Sequence, residues 1–111
     1  MGQLNGSEIL AKALKREGVE ELFFLMGGPM LTAEAATIQE GIRCIDVRHE
    51  QAAAMMAQAY SRLRQKPGFC MAASGPATIN LSPGLANALI DCCPVVALGG
   101  ASPMLGNGKQ V

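Results

Sequence analysis

Ile42-Arg43-Cys44-Ile45-Asp46-Val47-Arg48-His49-Glu50-Gln51-Ala52-Ala53-Ala54-Met55-Met56-Ala57 is the stretch that decides the fold. Its first six residues have the length and branched composition of a strand. Arg48-His49-Glu50 then turns the chain, and from Glu50 to Lys66 alanine and methionine, both strong helix formers, set the character of the segment. Glu50 stands in the first turn and Arg62, Arg64 and Lys66 in the last, which suits the helix dipole at both ends. Ala52, Ala53, Ala54, Ala57 and Ala59 leave little side chain on several faces, so another backbone can pack very close to this helix.

The same alternation continues on either side. Upstream, Asn5 and Glu8 have the spacing of a capping box, and a helix is expected to about Glu17 with Ile9, Leu10, Ala13 and Leu14 as its apolar set and Gly18 as its stop. Glu21 to Met26 reads as a short buried strand. It breaks at Gly27-Gly28-Pro29, where Pro29 opens a second helix through about Gln39, and Gly41 ends that helix. Downstream, Pro67-Gly68 closes the alanine-rich helix and Phe69 to Ala73 forms a third buried strand, leading into the turn Ser74-Gly75-Pro76. A fourth helix is expected to about Cys92, with Pro83 pointing to a proper start at Ser82 as cap and Pro83 as first helical residue. Val95 to Leu98 is the fourth strand, ending at Gly99-Gly100. Strand and helix in alternation give an α/β fold, a parallel sheet with right-handed crossovers and helices on both faces.

Composition narrows the functions this fold can serve. The 111 residues carry nine Lys or Arg against nine Asp or Glu, so there is no long-range basic field for nucleic acid or an anionic membrane. Prolines interrupt the most hydrophobic part of the chain, so no run of about 18 apolar residues is available to span a bilayer. The N-terminus lacks the pattern of a secretory signal, and a cytoplasmic setting with free thiols is expected. Cys44, Cys70, Cys92 and Cys93 contain no C-x-x-C pair, and His49 is the one histidine, which argues against a metal cluster. From Pro67 to Val111 the charges are Asp91 and Lys109. So uncharged a half implies surfaces that something else covers; central apolar strands account for part of it.

Ligands of open parallel sheets gather beyond the carboxyl ends of the strands. Here those ends are Met26-Gly27-Gly28, His49-Glu50 and Ser74-Gly75-Pro76, so small residues and one carboxylate should share one edge. Glu50 is the best single candidate for chemistry. Read by position alone it is equally an acidic residue that stabilises a helix dipole, His49 a hydrogen-bonded strand-end histidine and Ser74-Gly75-Pro76 a tight turn. There is no G-x-G-x-x-G, no Walker lysine after Gly27-Gly28-Pro29, and no G-x-S-x-G around Ser74.

Taken together, Arg48 to Ala57, then Ser74-Gly75-Pro76 with Asn80, then Asp91 to Leu98 resemble the pyrimidine-binding domain of thiamine diphosphate enzymes, and among these the acetolactate synthase group. The resemblance runs from the Asn5 capping box to Gly99-Gly100. It implies one partial domain over residues 1–111, truncated before the domain is complete. It also implies that Glu50 hydrogen-bonds N1′ of the cofactor's aminopyrimidine and passes a proton to that ring, helping to remove the thiazolium C2 proton. Met26, Gly27, Ala73, Pro76 and Asn80 are implied to lie against the cofactor, and His49 to face the substrate side. Thiamine diphosphate is the implied cofactor, with Mg²⁺ held by a second domain whose G-D-G…N motif is not in this chain, and FAD is compatible with a region beyond it. A 2-oxo acid is the implied substrate. The implied partner is a second copy or the rest of the enzyme, because the family's active site lies between two subunits, and the 111 residues alone are expected to be inactive.

The likeness has departures. Phe24-Leu25-Met26-Gly27 stands where the family often has G-I-P-G, Ala73 where threonine is frequent, and Ala77 and Ile79 replace the glycine and threonine of the S-G-P-G-A-T-N segment. The added bulk and the missing diphosphate site keep a second reading open, a truncated, non-catalytic interaction module that pairs with a full-length subunit. An independent flavodoxin-like or nucleotide-binding domain explains the alternation but not Glu50 in its setting.

Overall fold

The computed structural model describes residues 2–101. Lys109 and Val111, which figured in the sequence reading, lie outside the described residues. Asn5 caps helix α1 (Gly6–Arg16) with the expected box: its side chain accepts from the Glu8 N–H, and Glu8 accepts from the Asn5 N–H, both at 2.9 Å. Gly18 then takes φ +82°, a left-handed turn that a side chain would strain, and releases the chain into β1 (Glu21–Leu25). After β1 comes one 3₁₀ turn, Gly28–Met30, with Pro29 in its first positions, before α2 (Leu31–Gln39). The second helix therefore opens as a tighter turn at Pro29 and becomes α-helical at Leu31.

Strand β2 (Arg43–Asp46) is followed by α3 (Glu50–Arg64), β3 (Gly68–Ala72), α4 (Pro76–Ile79), α5 (Ser82–Ile90) and β4 (Val95–Gly99). The four strands form one sheet in the order β2-β1-β3-β4, every pair parallel, with Phe24 opposite Asp46, Leu25 opposite Ala72 and Ala72 opposite Gly99. All four carboxyl ends thus share one edge.

Alternation along the strands sends neighbouring residues to opposite faces. Leu22, Phe24 and Met71 pack with Leu14 of α1 and Ala33 of α2 on one face, while Phe23, Cys70 and Ala72 pack with Ala53, Ala54 and Ala57 of α3 and Leu81 on the other. The sheet therefore has helices on both faces, as the sequence implied. The alanines of α3 have the predicted consequence. A Cβ on Gly68 would lie 1.9 Å from the Ala57 carbonyl oxygen, and one on Gly84 would lie 2.5 Å from the Ala54 Cβ, so helix, strand and neighbouring helix meet almost backbone to backbone. A polar tie joins the same two helices: Asn87 donates to Gln58 at 2.8 Å and Gln58 to Asp91 at 2.7 Å.

The structure corrects the sequence reading at several points. On α1 the buried residues are Ala11 and Leu14, with Leu10 partly buried, while Ile9 is 55% exposed and Ala13 is exposed. The apolar stripe is rotated by about one residue, because Ala11 is small enough to enter the α1–α2 contact. Helix α3 stops at Arg64, since Gln65 takes a left-handed cap at φ 56°, and Lys66 pairs with Glu20 at 2.8 Å instead of closing the helix. The fourth helix is two pieces. Pro83 has no N–H for the Ile79 carbonyl, so the chain makes the four-residue α4 and restarts at Ser82. Leu81 is the cap residue, Ser82 is already helical, and α5 ends at Ile90, two residues before Cys92.

One buried group sits uneasily. Glu34 on α2 is 7% exposed, its Oε2 has no hydrogen-bond partner, and burial, with Asp46 nearby, raises its carboxyl above the ordinary 4.5. A group that holds its proton more tightly when folded adds stability below its unfolded value, and that contribution is lost as pH rises through the folded one. Glu34→Gln is therefore expected to raise the thermal midpoint at neutral pH and to leave it little changed well below pH 4.5, as read by melting curves across pH. Gly68→Ala is expected to cost about 3 kcal/mol or more by overpacking, measured by chemical denaturation.

Candidate functional site

The loops that follow the four strands, taken in strand order, converge on the shared edge. After β1, Gly27 is extended, with its carbonyl accepting from the Met30 N–H at 2.9 Å. After β3, Ala73 lies directly against it: a Cβ on Gly27 would be 2.3 Å from the Ala73 Cβ. After β4, Gly100 donates to the Ala72 carbonyl at 3.0 Å, and a Cβ there would come within 3.0 Å of Met30 Cγ. The edge is thus floored by small residues whose backbones nearly touch. Met26 is exposed beside them.

Glu50 enters from the second loop as the first residue of α3. His49 is the cap of that helix, and its Nδ1 accepts from the Gln51 N–H at 3.0 Å. An accepting Nδ1 carries no proton, so in this arrangement the ring proton belongs on Nε2. The capping bond fixes the imidazole, and it fixes the backbone entry into α3. Glu50 itself is only 8% exposed. Its side chain meets one donor among the described residues, Asn80 Nδ2 at 3.0 Å from Oε2, and Oε1 has no partner among them.

Asn80 reaches Glu50 because of the turn after β3. Gly75 takes φ 62° and ψ −123°, a conformation open to glycine, and starts α4 with Pro76 in its first turn. Asn80 ends α4, its N–H bonded to the Pro76 carbonyl at 2.9 Å. The sequence candidates therefore fall into two groups. Glu50 and Asn80 are joined directly, and Gly27 and Ala73 are joined directly. Pro76 acts through the shape of α4, His49 is spent on the cap, and Met26 lies at the open margin. Sequence reasoning missed Thr78, whose hydroxyl donates to the Ala73 carbonyl. A hydroxyl two residues after the Gly75-Pro76 pair was the available signal.

Comparison with known proteins identifies this architecture. The family model "Thiamine pyrophosphate enzyme, N-terminal TPP binding domain" matches residues 4–111. The chain belongs to that family. It is 44% identical over 99 residues to the chloroplastic acetolactate synthase of Arabidopsis thaliana, covering 88% of this chain and 15% of the relative. It is 40% identical over 100 residues to human 2-hydroxyacyl-CoA lyase 1, covering 90% and 17%. To the large subunit of acetolactate synthase isozyme 2 from Escherichia coli K12 it is 41% identical over 105 residues, covering 93% and 19%. The chain thus spans less than a fifth of the length of these relatives. Among the described residues no helix is long and apolar enough to cross a membrane.

The contact between the first and third loops can be tested at once. Gly27→Ala forces two methyl groups together and is expected to lower stability by about 1–3 kcal/mol. Gly28→Ala, with nothing within 4 Å of the new Cβ, is expected to be close to neutral in the same denaturation experiment.

Proposed function

We propose that this chain supplies the aminopyrimidine-binding half of the active site in a thiamine diphosphate-dependent lyase or transferase acting on 2-oxo acids. The observation that carries the reading is Glu50. It is a carboxylate at the head of α3, at the shared strand edge, only 8% exposed, with Oε2 held by Asn80 and no side-chain donor on Oε1 among the described residues. An oxygen with a free lone pair on a carboxylate that is only 8% exposed fits a ring N–H or a protonated ring nitrogen as partner. The small residues Gly27 and Ala73 fit the close approach of a flat ring.

When bound, thiamine diphosphate supplies the electron sink that the twenty side chains lack. This chain's residues bind and orient. Glu50 holds and moves the proton at the pyrimidine nitrogen, Asn80 keeps its carboxylate turned, and the Gly27–Ala73 contact sets how near the ring can come. Met26 and Pro76 bound the cleft, and His49 stands on the substrate side. The diphosphate and its Mg²⁺ belong to a second domain, and FAD, where the enzyme has it, to another region.

The half-site reading is supported by exposed apolar residues on α3, α4 and α5. Met55, Ile79, Leu89 and Ile90 are all exposed, the last two at 80% and 79%, and an open cavity of about 270 Å³ lined by His49, Gln51, Ala52 and Met55 adjoins the head of α3. Those surfaces suit coverage by the rest of the enzyme or by a second copy.

Two substrate classes follow from the relatives, condensation of 2-oxo acids as in acetolactate synthase and cleavage of a 2-hydroxyacyl-CoA as in the lyase. The full gene product, assayed with thiamine diphosphate and Mg²⁺, is expected to turn over pyruvate, and activity confined to 2-hydroxyacyl-CoA substrates would reassign the substrate. Glu50→Gln is expected to lower kcat roughly 10²-fold or more with an unchanged thermal midpoint. Normal turnover by that variant removes Glu50 from the reaction. A native 11.5 kDa product that co-purifies with a longer subunit would favour the interaction module.

A further inference from the structure

A carboxylate on a flexible side chain can exchange its two oxygens by rotation, so a site that uses one of them needs something to hold the other. In this chain Asn80 is the donor on Oε2, 30 residues away in sequence. Its own position is set from outside its helix. Helix α4 has only four residues, too few to persist alone. Thr78, in its middle, donates its hydroxyl to the carbonyl of Ala73 just beyond β3. The Thr78 methyl packs on the end of β4 so closely that a Cβ on Gly99 would lie 2.8 Å from Cγ2. The Thr78 carbonyl meanwhile accepts from the Leu81 N–H at 3.1 Å, joining α4 to the start of α5. One threonine thus ties α4 to two strand ends and to the next helix.

Resting on the reading that Glu50 faces the aminopyrimidine, we propose that Thr78 and Asn80 form a positioning brace for Glu50. Thr78 seats α4 on the ends of β3 and β4, and Asn80 occupies Oε2 so that Oε1 is the oxygen offered to the ring. Asn80 is then a positioning residue that acts through Glu50, not a contact of the cofactor.

The test is a double-mutant cycle in the full gene product with Asn80→Ala, Glu50→Ala and the pair, reading the Kd for thiamine diphosphate with Mg²⁺ by calorimetry. Asn80→Ala is expected to weaken binding about tenfold beside Glu50 and less than about twofold in the Glu50→Ala background, because groups that act through one another are not additive. Equal losses in both backgrounds would make Asn80 a direct cofactor contact and overturn the brace. Thr78→Val is expected to reproduce the loss of Asn80→Ala and Thr78→Ser to restore binding; wild-type affinity in Thr78→Val removes Thr78 from it. The same cycle read as thermal midpoints of the unliganded protein keeps the two readings apart. If the wild type does not bind thiamine diphosphate, the proposed function fails, and the unliganded cycle alone decides the brace: additive midpoint losses overturn it, and a smaller loss for Asn80→Ala without Glu50 supports it.

Discussion

Everything at the strand edge depends on how closely α3 lies on the sheet. Ala53, Ala54 and Ala57 are fully buried, and Gly68 presents bare backbone to the Ala57 carbonyl. That approach replaces side-chain interdigitation with dense backbone contact, which tolerates no added methyl group. It also fixes the depth of the helix head. A helix held away by leucine-sized residues would lift Glu50 out of the edge; held by alanines, it keeps the carboxylate 8% exposed and within 3.0 Å of a donor from the opposite loop. The capping bond from Gln51 N–H to His49 supplies the remaining constraint, on the direction in which α3 starts.

The same economy of volume governs the other side of the edge. The Ala73 methyl already occupies the space that any side chain on Gly27 would need. A branched residue there would press on the β1 turn. Thr78 returns a hydroxyl to the Ala73 carbonyl from the following helix. Residues five apart in sequence, on either side of the Gly75 turn, are therefore joined in space. The flexible Met26 is exposed just beyond the contact, so it adds no bulk between the two turns.

Local signals carried most of the architecture. The Asn5–Glu8 box, the left-handed glycines at 18 and 41 and the alanine-rich α3 each act within a few residues, so chain order alone shows them. The apolar face of α1 was harder, because Ile9 and Ala11 both belong to plausible helical stripes and only the packing of α2 selects the smaller residue. Pro83 announced a break, yet whether the chain would start late or divide into two helices depended on Thr78 anchoring the first piece to β3. Glu50 was legible from its place after a strand and before a helix. Its pairing with Asn80 was not, since that bond requires α4 to be folded back over the strand ends, a consequence of sheet order 2-1-3-4 and of no local pattern.

The charge-poor half of the chain spends its polar groups internally. Asp91 receives Gln58 at 2.7 Å and lies 3.8 Å from Arg62, and Asn87 completes the tie by donating to Gln58. These bonds hold α5 against α3 and leave Leu89 and Ile90 on the outward surface. A surface of that kind gains little from water and much from contact with another apolar surface, since burial is favourable in proportion to the apolar area removed. The polar network and the apolar face are thus complementary: the first makes the two helices one rigid slab, and the second gives that slab a side to be covered. On the proposed reading, coverage that extends to Met55 at the head of α3 also closes the open side of the edge next to His49, which excludes water from the place where Glu50 would exchange its proton.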